Sequence, residues 1–262
     1  MSSTTRARQG AEMLLPPVVF GVVFVALWQA WVTIRDVQPF IIPKPTAIIQ
    51  SLFDNPSLVT KACIVTGVNA LVGLIVGTIL GFVGSVLTNR FRVVAELVNP
   101  LAVTVAAVPA VVIVGVLNNM YALDSQIGRR IMVSIAVFFI VFVQVTKGLT
   151  QNDPTQIELM QSYAASPRQV LAKVRVPNTM PFLFTAIRTA APIAVIIALV
   201  SEYFGGTQDG LGTKIASTLN GSNKALGFAY VVGGSIVGLL FFAGANLLEY
   251  LVVPWQRHRR TG

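Results

Sequence analysis

The chain has 262 residues, of which 54% are hydrophobic and only 11% are charged. A soluble domain carries about 25% charged residues, so this composition excludes an ordinary soluble protein and indicates one embedded in a membrane. The net charge is +9, but Lys and Arg lie between the apolar runs, which excludes nucleic acid as the expected partner. With one cysteine, Cys63, and one histidine, His258, the chain can form neither an internal disulfide nor a Cys/His metal cluster.

Six apolar runs are long enough to cross the hydrocarbon core, which takes about 20 helical residues. The sequence therefore predicts an all-α fold, a polytopic membrane helix bundle with about six transmembrane helices in one domain over residues 1–262. The first run is expected to be a retained helix, because it is too long for a signal-peptide core. The third is interrupted by Pro100 and Pro109, a break that neighbouring helices can satisfy. The predicted spans are Leu14–Ile34, Cys63–Thr88, Val93–Leu117, Ile131–Thr146, Pro181–Val200 and Leu226–Val253.

The distribution of Lys and Arg predicts the orientation of the bundle. With the N-terminus in the cytoplasm, 11 cationic residues fall on the inner side and 7 on the outer side, as the positive-inside rule favours. Arg129 and Arg130, placed outside, are the weakest part of this assignment. Residues 1–13 and 254–262 then form a cytoplasmic N-terminus and a cytoplasmic tail, because an even number of spans returns the chain to the side where it began.

Small residues mark one face of the second span. Gly73, Gly77 and Gly81 recur every four residues, which aligns them on one side of a helix and lets another backbone approach closely. The pattern predicts tight helix packing, and helices that slide against each other during gating are the alternative.

The polar stretch Gln151–Pro181, between the fourth and fifth spans, contains two helix starts. The tetrapeptides DPTQ at 153–156 and SPRQ at 166–169 each place a capping side chain before a proline, with Gln at the third helical position. In each case the Gln side chain is expected to reach back to the helix start and complete a capping box. We therefore expect two short helices that begin at these prolines, are joined by a turn at residues 164–165, and end at Val176-Pro177.

Each of these short helices has an apolar face. Two interpretations of the pair are open from the pattern alone: a helical hairpin that lies on the membrane surface, and a docking platform for a partner protein. The apolar faces are formed by Ile157, Met160 and Ala164 in the first helix, and by Val170, Leu171 and Val174 in the second.

The same stretch resembles the cytoplasmic signature of the permeases of binding-protein-dependent ABC importers. That signature runs E-A-A, three residues, G, nine residues, I, one residue, L-P. The spacing agrees throughout, with identity at the first and last positions and conservative exchange at I and L. Leu159, Met160 and Ala164 depart from it. The matching positions are, in order, Glu158, Leu159, Met160, Ala164, Val174, Val176 and Pro177.

Further segments resemble the nitrate/sulfonate/taurine-type permeases of this family. The stretch Phe40–Ile48 is similar to the segment that follows their first helix. Ile187-Arg188, Glu202 and Gly210-Leu211-Gly212 are similar to a recurring pattern within and beyond their fifth helix. The resemblance covers about residues 20–255 and implies the fold of a type I ABC importer permease.

The resemblance implies a transmembrane permease subunit in a bacterial plasma (inner) membrane, with both termini in the cytoplasm. The implied partners are a second permease subunit, identical or different, two ATPase subunits, an extracytoplasmic substrate-binding protein and membrane lipid. The subfamily implies a small anionic nutrient as substrate, such as a sulfonate, taurine, nitrate, an aromatic acid or a vitamin precursor.

The resemblance also implies that residues 151–177 are coupling helices, seated in a groove of the ATPase so that its closure re-orients the spans. At the glycine position of the signature, Ala164 would cost about 1–2 kcal/mol in a left-handed turn. Either the turn or the interface is therefore expected to differ. The residues implied in ATPase coupling are Glu158, Leu159, Met160, Ala164, Ala165, Arg168, Val174 and Pro177.

Polar residues inside the predicted spans are the candidates for a pathway or a gate. Arg188 lies well inside the fifth span, where a charge usually faces the bundle interior or water. We expect it either to bind an anionic substrate or to form a structural pair with Glu202 or Glu249. Glu202 marks the outer end of the fifth span, and Asn69 in the second span either lines a pathway or bonds a neighbouring helix.

The sequence predicts no enzymatic activity for the chain itself, because it contains no G-x-x-x-x-G-K-[ST] phosphate-binding loop. ATP and Mg²⁺ are expected on partner subunits, with no cofactor and no metal bound by this chain. A gradient-driven secondary transporter or channel is the alternative, and it predicts internal repeats and buried ionisable relays. A membrane enzyme is a third class, and it needs a nucleophile, a base or a metal cluster that a single histidine does not provide.

Overall fold

The computed structural model describes residues 3–91, 96, 110–121, 125–205 and 209–252. Regular structure within these ranges is helical. The helices are α1 (Ser3–Ile34), α2 (Pro45–Asp54), α3 (Pro56–Arg90), α4 (Ala110–Met120), α5 (Ile127–Thr150), α6 (Pro154–Ser162), α7 (Pro167–Val170), α8 (Val176–Tyr203), α9 (Leu211–Asn220) and α10 (Lys224–Val252). A π-helical turn, Leu171–Arg175, lies between α7 and α8.

Five of the described helical segments are long and apolar enough to cross a membrane, with mean hydropathies between 1.9 and 2.4. They correspond to five of the six predicted spans and confirm the polytopic helical bundle. Most extend past the predicted bounds, because polar residues continue a helix after its apolar run stops; α3, for example, begins at Pro56 rather than Cys63. The third predicted span, Val93–Leu117, lies largely outside the described residues, which include Glu96 and α4 from Ala110.

Helices α3 and α5 pack backbone to backbone at the centre of the bundle. The three period-four glycines of α3 are buried, and each lies against a valine of α5. A Cβ atom added at Gly77 would lie 2.6 Å from the carbonyl oxygen of Ser134 and 2.7 Å from Cβ of Val137. Side chains cannot approach so closely, so the pattern leaves room for the neighbouring helix. The facing pairs are Gly73 with Val133, Gly77 with Val137, and Gly81 with Val141.

Helix α8 joins this pair through a second face of small residues. Ala186, Ala190, Ala194 and Ala198 recur every four residues and are fully buried. Small side chains at this interval let a helix approach its neighbours closely within a membrane. This alanine face was not predicted from the sequence, although its spacing equals that of the glycines in α3. Helices α3, α5 and α8 thus supply most of the buried core.

Helix α1 lies at the edge of the bundle. Only 6% of its apolar window is buried, and most of its large apolar side chains from Leu15 onward are exposed. Thr46 of α2 holds it in place by donating hydrogen bonds from its backbone and its hydroxyl to Gln29 Oε1, at 3.3 and 3.4 Å. Apolar surface of this extent is compatible with a lipid environment, which requires no cover of protein.

Candidate functional site

The hairpin, residues 151–177, begins both of its helices where the sequence predicts. The carboxylate of Asp153 accepts a hydrogen bond from the backbone N–H of Thr155 at 2.9 Å, and α6 starts at the next residue. At the start of α7, the Ser166 hydroxyl accepts from the Gln169 backbone at 3.4 Å, and Gln169 Oε1 accepts from the Ser166 backbone at 2.7 Å. The reciprocal capping box predicted there is confirmed, and it fixes the direction in which α7 leaves the turn.

Gln156, at the first helix start, does not close the equivalent box. Its Oε1 accepts a hydrogen bond from Asn178 Nδ2 at 3.4 Å. The same nitrogen lies 3.4 Å from Asn152 Oδ1. The prediction that Gln156 reaches back to its own helix start is wrong, because a residue of α8 takes that oxygen. The hydrogen bonds of Asn178 therefore connect the base of the hairpin to the beginning of α8.

Ala164 occupies a left-handed turn between the two helices, with φ 50°. Its N–H bonds to the carbonyl of Gln161 at 2.8 Å, and the N–H of Ala165 bonds to the carbonyl of Met160 at 3.0 Å. These two bonds form a Schellman motif, in which glycine is the usual residue at the left-handed position. The structure thus keeps the turn that the signature glycine would form. Ala164 lies in this turn, beyond the end of α6, and is exposed, so its predicted place on the apolar face of that helix is wrong.

The hairpin turns several of its signature residues outward. Leu159 and Tyr163 are 55% and 77% exposed, and Glu158 and Arg168 are exposed as well. Large apolar side chains on an otherwise polar loop are typical of a contact surface. Tyr163 was not predicted as a contact residue, although an aromatic side chain in a polar loop, just before the predicted turn, could have indicated one. The half-buried apolar side chains of the hairpin are Ile157, Met160, Ala165, Val170, Leu171, Val174 and Val176.

The second hairpin helix does not end at Val176-Pro177, and that prediction is wrong. Helix α7 continues through the π-helical turn into α8, and the combined helix Pro167–Tyr203 has 37 residues. A proline inside a helix lacks an N–H and crowds the preceding turn. The π-helical turn directly before Pro177 changes the hydrogen-bond register there and lets the chain remain helical. The hairpin is therefore continuous with a membrane-length helix.

Arg175, the last residue of the π-helical turn, connects this point to α3. Its guanidinium donates to Asn89 Oδ1 at 2.9 Å, one residue before the end of α3. Its carbonyl accepts from the Thr179 hydroxyl at 2.7 Å. The end of α3 and the beginning of α8 are thus joined next to the hairpin.

At the opposite end of α8, Glu202 is fully buried. The Thr66 hydroxyl donates to its Oε2 at 2.6 Å, and Asn69 Nδ2 donates to its Oε1 at 3.2 Å. The backbone N–H of Gly212 in α9 also donates to Oε2, at 3.1 Å. Both oxygens accept hydrogen bonds, which is the condition for burying a carboxylate at tolerable cost. Two of the predicted pathway candidates, Glu202 and Asn69, therefore lie together although they are 133 residues apart.

Further polar residues surround this contact, and we call the whole group the Glu202 cluster. Asn69 Nδ2 also donates to Gln126 Oε1 at 2.8 Å, and its Oδ1 accepts from Arg130 Nε at 3.2 Å. Arg129 donates to Gln126 Oε1 at 2.9 Å, is 2% exposed, and attracts the charge of Glu202. The two arginines that weaken the positive-inside count are thus parts of α5 held in a polar network. The cluster comprises Thr66, Asn69, Gln126, Arg129, Arg130, Glu202 and the start of α9.

Arg188, the third pathway candidate, lies apart from this cluster. Its guanidinium is 3.2 Å from the carboxylate of Glu249 in α10, and the two side chains are 29% and 13% exposed. Of the two partners predicted for Arg188, Glu249 is therefore confirmed, and Glu202 is engaged elsewhere. The pair neutralises charge inside the bundle, where an isolated charge is costly.

Comparison with known proteins places the chain among transport components. The family described as "Binding-protein-dependent transport system inner membrane component" matches residues 73–258. A Haemophilus influenzae protein named "Probable ABC transporter permease protein" is 27% identical, over 94% of this chain and 96% of that protein. The formylaminopyrimidine transport permease protein ThiX of Halalkalibacterium halodurans is 28% identical, over 93% of this chain and 96% of that protein. The crystal structure of an amino acid ABC transporter "with histidines" shares the fold, with a TM-score of 0.61, 12% identity, and coverage of 80% of this chain and 97% of that one.

Proposed function

The chain belongs to the family of inner membrane components of binding-protein-dependent transport systems, and from this membership we propose that it forms the translocation pathway of an ATP-driven importer. It is a membrane-embedded permease of the ABC transporter class, in which ATP hydrolysis belongs to partner subunits. The family match agrees with the resemblance of the hairpin to the permease signature. It decides against a gradient-driven transporter or channel and against a membrane enzyme.

In this proposal the hairpin is the docking surface for an ATPase subunit. The observation that carries it is the continuous helix Pro167–Tyr203, which bears an exposed hairpin at one end and reaches the Glu202 cluster at the other. Leu159 and Tyr163 lie in α6 and at its end. Helix α6 is connected to the continuous helix by the turn at Ala164 and by the contact of Gln156 with Asn178. A protein that pushes on Leu159 and Tyr163 would therefore load the helix through a structured hairpin rather than through a flexible loop. Such a connection transmits displacement across a packed bundle as a rigid-body motion.

The coupling residues have two different roles in this proposal. Glu158, Leu159 and Arg168 are exposed and would contact the ATPase directly, with Tyr163 as a further contact. The remaining members shape the hairpin and seat it on the bundle, because they lie in its turn, on its half-buried face or at the entry to α8. They are Met160, Ala164, Ala165, Val174 and Pro177.

The orientation follows from the same proposal. The hairpin end faces the cytoplasm, where ATP is available, and both termini lie on that side, in agreement with the excess of Lys and Arg there. The Glu202 cluster then lies at the outer end, toward a substrate-binding protein. We propose an assembly with a second permease subunit, two ATPase subunits and that binding protein, in a bacterial inner membrane.

The proposed substrate is a small anionic nutrient of the sulfonate, taurine, nitrate, aromatic acid or vitamin-precursor class. The relative named as a formylaminopyrimidine permease supports a small polar organic molecule. Arg188 is 29% exposed within the bundle although it is paired with Glu249, and in this proposal it is a cation that an anionic substrate would meet on its way through. Selection among such substrates belongs mainly to the binding protein in this proposal.

Replacing an exposed contact of the hairpin tests the docking role. We expect Leu159→Asp to reduce co-purification of the ATPase subunit with the permease by about tenfold or more, because a charge in place of a central apolar contact typically costs 1–3 kcal/mol or more. ATP-dependent uptake in proteoliposomes should fall in parallel. Gln161→Asp adds the same charge at another exposed position of α6, on a different side of the helix from Leu159, and is the matched control.

The two variants together decide the proposal. Loss of the ATPase with Leu159→Asp, and retention with Gln161→Asp, supports a specific docking surface at the hairpin. Full retention of the ATPase and of uptake with Leu159→Asp would exclude the hairpin as the coupling element. It would favour a hairpin that lies on the membrane surface.

A further inference from the structure

Helix α9 has no capping side chain of its own. The residue before it is Gly210, and its first two amides are satisfied by other helices. The N–H of Leu211 donates to the Thr66 hydroxyl at 2.9 Å, and the N–H of Gly212 donates to Glu202 Oε2 at 3.1 Å. A helix cannot satisfy these first amides internally, and a negative charge is favourable at its N-terminus. The start of α9 is therefore capped by side chains of α3 and α8.

The backbone of α9 also touches α8 directly. A Cβ atom added at Gly210 would lie 2.5 Å from the carboxylate carbon of Glu202, and one added at Gly212 would overlap the carbonyl oxygen of Leu199. The Thr213 hydroxyl donates to the backbone carbonyl of Glu202 at 3.0 Å. The two glycines are thus required by the close approach of α9, and the contact leaves little freedom for independent movement.

Polar contacts next to both ends of α8 join it to α3. Arg175 bonds Asn89 next to the hairpin, and Glu202 bonds Thr66 and Asn69 at the far end. The helix that contains α8 is on the order of 55 Å long, from 1.5 Å for each of its 37 residues. Between its ends it is packed through small residues. The hairpin, α8 and the start of α9 therefore form a chain of rigid contacts from one side of the bundle to the other.

We propose that Glu202 is a positioning residue that fixes α9 to α3 and to the end of α8, so that α9 moves with the hairpin as one body. The inference rests on the proposed function, because the motion comes from an ATPase docked at the hairpin. Both oxygens of Glu202 accept hydrogen bonds from the protein, so its effect is exerted through α9 and not through contact with a substrate. Helix α9 lies where the substrate would enter, and its displacement would open or close that end of the pathway.

A thiol reporter on α9 can follow this movement. Ser217 is exposed on α9, and Ser217→Cys in a Cys63→Ser background leaves one thiol in the chain. The full complex in lipid nanodiscs is treated with a membrane-impermeant maleimide, without nucleotide and after trapping with ATP and vanadate. We expect the labelling rate to differ about fivefold or more between the two states, the lower end of typical conformational coupling.

Two substitutions then weaken the contact that holds the start of α9 against Glu202 and Thr66. Glu202→Gln keeps the size of the side chain and removes its charge, and Thr66→Val removes the hydroxyl that bridges Glu202 and Leu211. Either change should reduce the fivefold difference to less than about twofold while the ATPase remains bound and active. Asp209→Asn removes the exposed ion pair between Asp209 and Lys214 of α9, at 3.0 Å, but none of the contacts of Glu202. This variant, and Thr66→Ser, which keeps the hydroxyl, should preserve the full difference.

The possible outcomes are distinct. If the labelling rate still differs fully between the two nucleotide states in Thr66→Val and Glu202→Gln, the positioning role of Glu202 is overturned. If Glu202→Gln does not assemble, the comparison of Thr66→Val with Thr66→Ser decides. In the chain that carries only the reporter, a labelling rate that does not change with nucleotide, although the complex hydrolyses ATP and transports, is a further outcome. That result would overturn the motion of α9 and leave the proposed function intact. Failure of the parent chain to bind an ATPase would refute the proposed function, and this inference with it.

Discussion

The two ends of α8 differ in how their polar groups are used. At one end, Glu202 is fully buried, and its two oxygens accept hydrogen bonds from three groups on two other helices. At the other end, α6 and α7 contain no buried residue, and their hydrogen bonds are caps within the hairpin or contacts at its base. A polar group whose hydrogen bonds are all made within the protein contributes to the structure of the bundle. Exposed groups such as Leu159 and Glu158 are available to a partner.

This difference separates the two tasks of a coupled permease. The buried end requires exact packing, since a removed donor leaves a charge without compensation. The exposed end requires only the correct shape, since its side chains are satisfied by water until a partner arrives. We therefore expect substitutions at the Glu202 end to affect the stability of the bundle, and substitutions in the hairpin to affect only local order and coupling.

The largest expected effect is at the buried end. Gly212→Ala should destabilise the protein by about 3 kcal/mol. The added methyl group would overlap the backbone of α8 and displace the Gly212 N–H, which donates a hydrogen bond to Glu202. The midpoint of thermal unfolding in detergent measures it. Gly238→Ala is the control, since a Cβ there meets nothing within 4 Å. Equal midpoints for the two variants would contradict the tight contact between α9 and α8.

A smaller effect is expected for the capping box of the hairpin. Ser166→Ala removes the hydroxyl that accepts from Gln169 and should cost about 1 kcal/mol in the local stability of α7. Hydrogen exchange of the α7 amides should accelerate about fivefold, with no change in the global unfolding midpoint. Ser162→Ala removes an exposed hydroxyl that only donates to the Leu159 carbonyl, and it should leave exchange in α7 unchanged. A global loss of stability in Ser166→Ala would show that the hairpin is not a locally folded unit.

The smallest effect has the opposite sign. Ala164→Gly should stabilise the turn by about 0.5–1 kcal/mol, because glycine adopts φ 50° without the steric penalty of a Cβ. Exchange of the Ala165 amide, which bonds the Met160 carbonyl, should slow by a factor of about 2–5. Ala165→Gly is the matched control, and it should accelerate exchange because its φ is not left-handed. Acceleration in Ala164→Gly would mean that this turn is not the one formed in solution.

Local features of the structure were predictable from the sequence, because the residues that cause them are neighbours. The two helix starts, the turn at Ala164 and five membrane spans follow from caps, prolines and apolar runs. The continuation of the helix through Val176-Pro177 was not predictable, because a proline usually ends a helix and the sequence contains no signal for a π-helical turn. The third span stays a prediction, since it lies largely outside the described residues.

The Glu202 cluster shows why the rest could not be predicted. Thr66 and Glu202 are 136 residues apart, and neither has a distinctive neighbour in the sequence. The sequence identified Glu202, Asn69 and the glycines near α9 as separate features. It contained no information about their mutual contact, because that depends on how three helices pack. The pair of Arg188 with Glu249 was one of only two options, since few acidic residues lie within the spans.

The most direct test of the account is to identify what touches the hairpin in the assembled transporter. A photo-reactive benzoylphenylalanine in place of Tyr163, which is 77% exposed, would be irradiated in native membranes that contain the complete complex. The account predicts one major adduct, with the nucleotide-hydrolysing subunit, and a yield that changes on trapping with ATP and vanadate. Adducts confined to lipid or to the substrate-binding protein would contradict it.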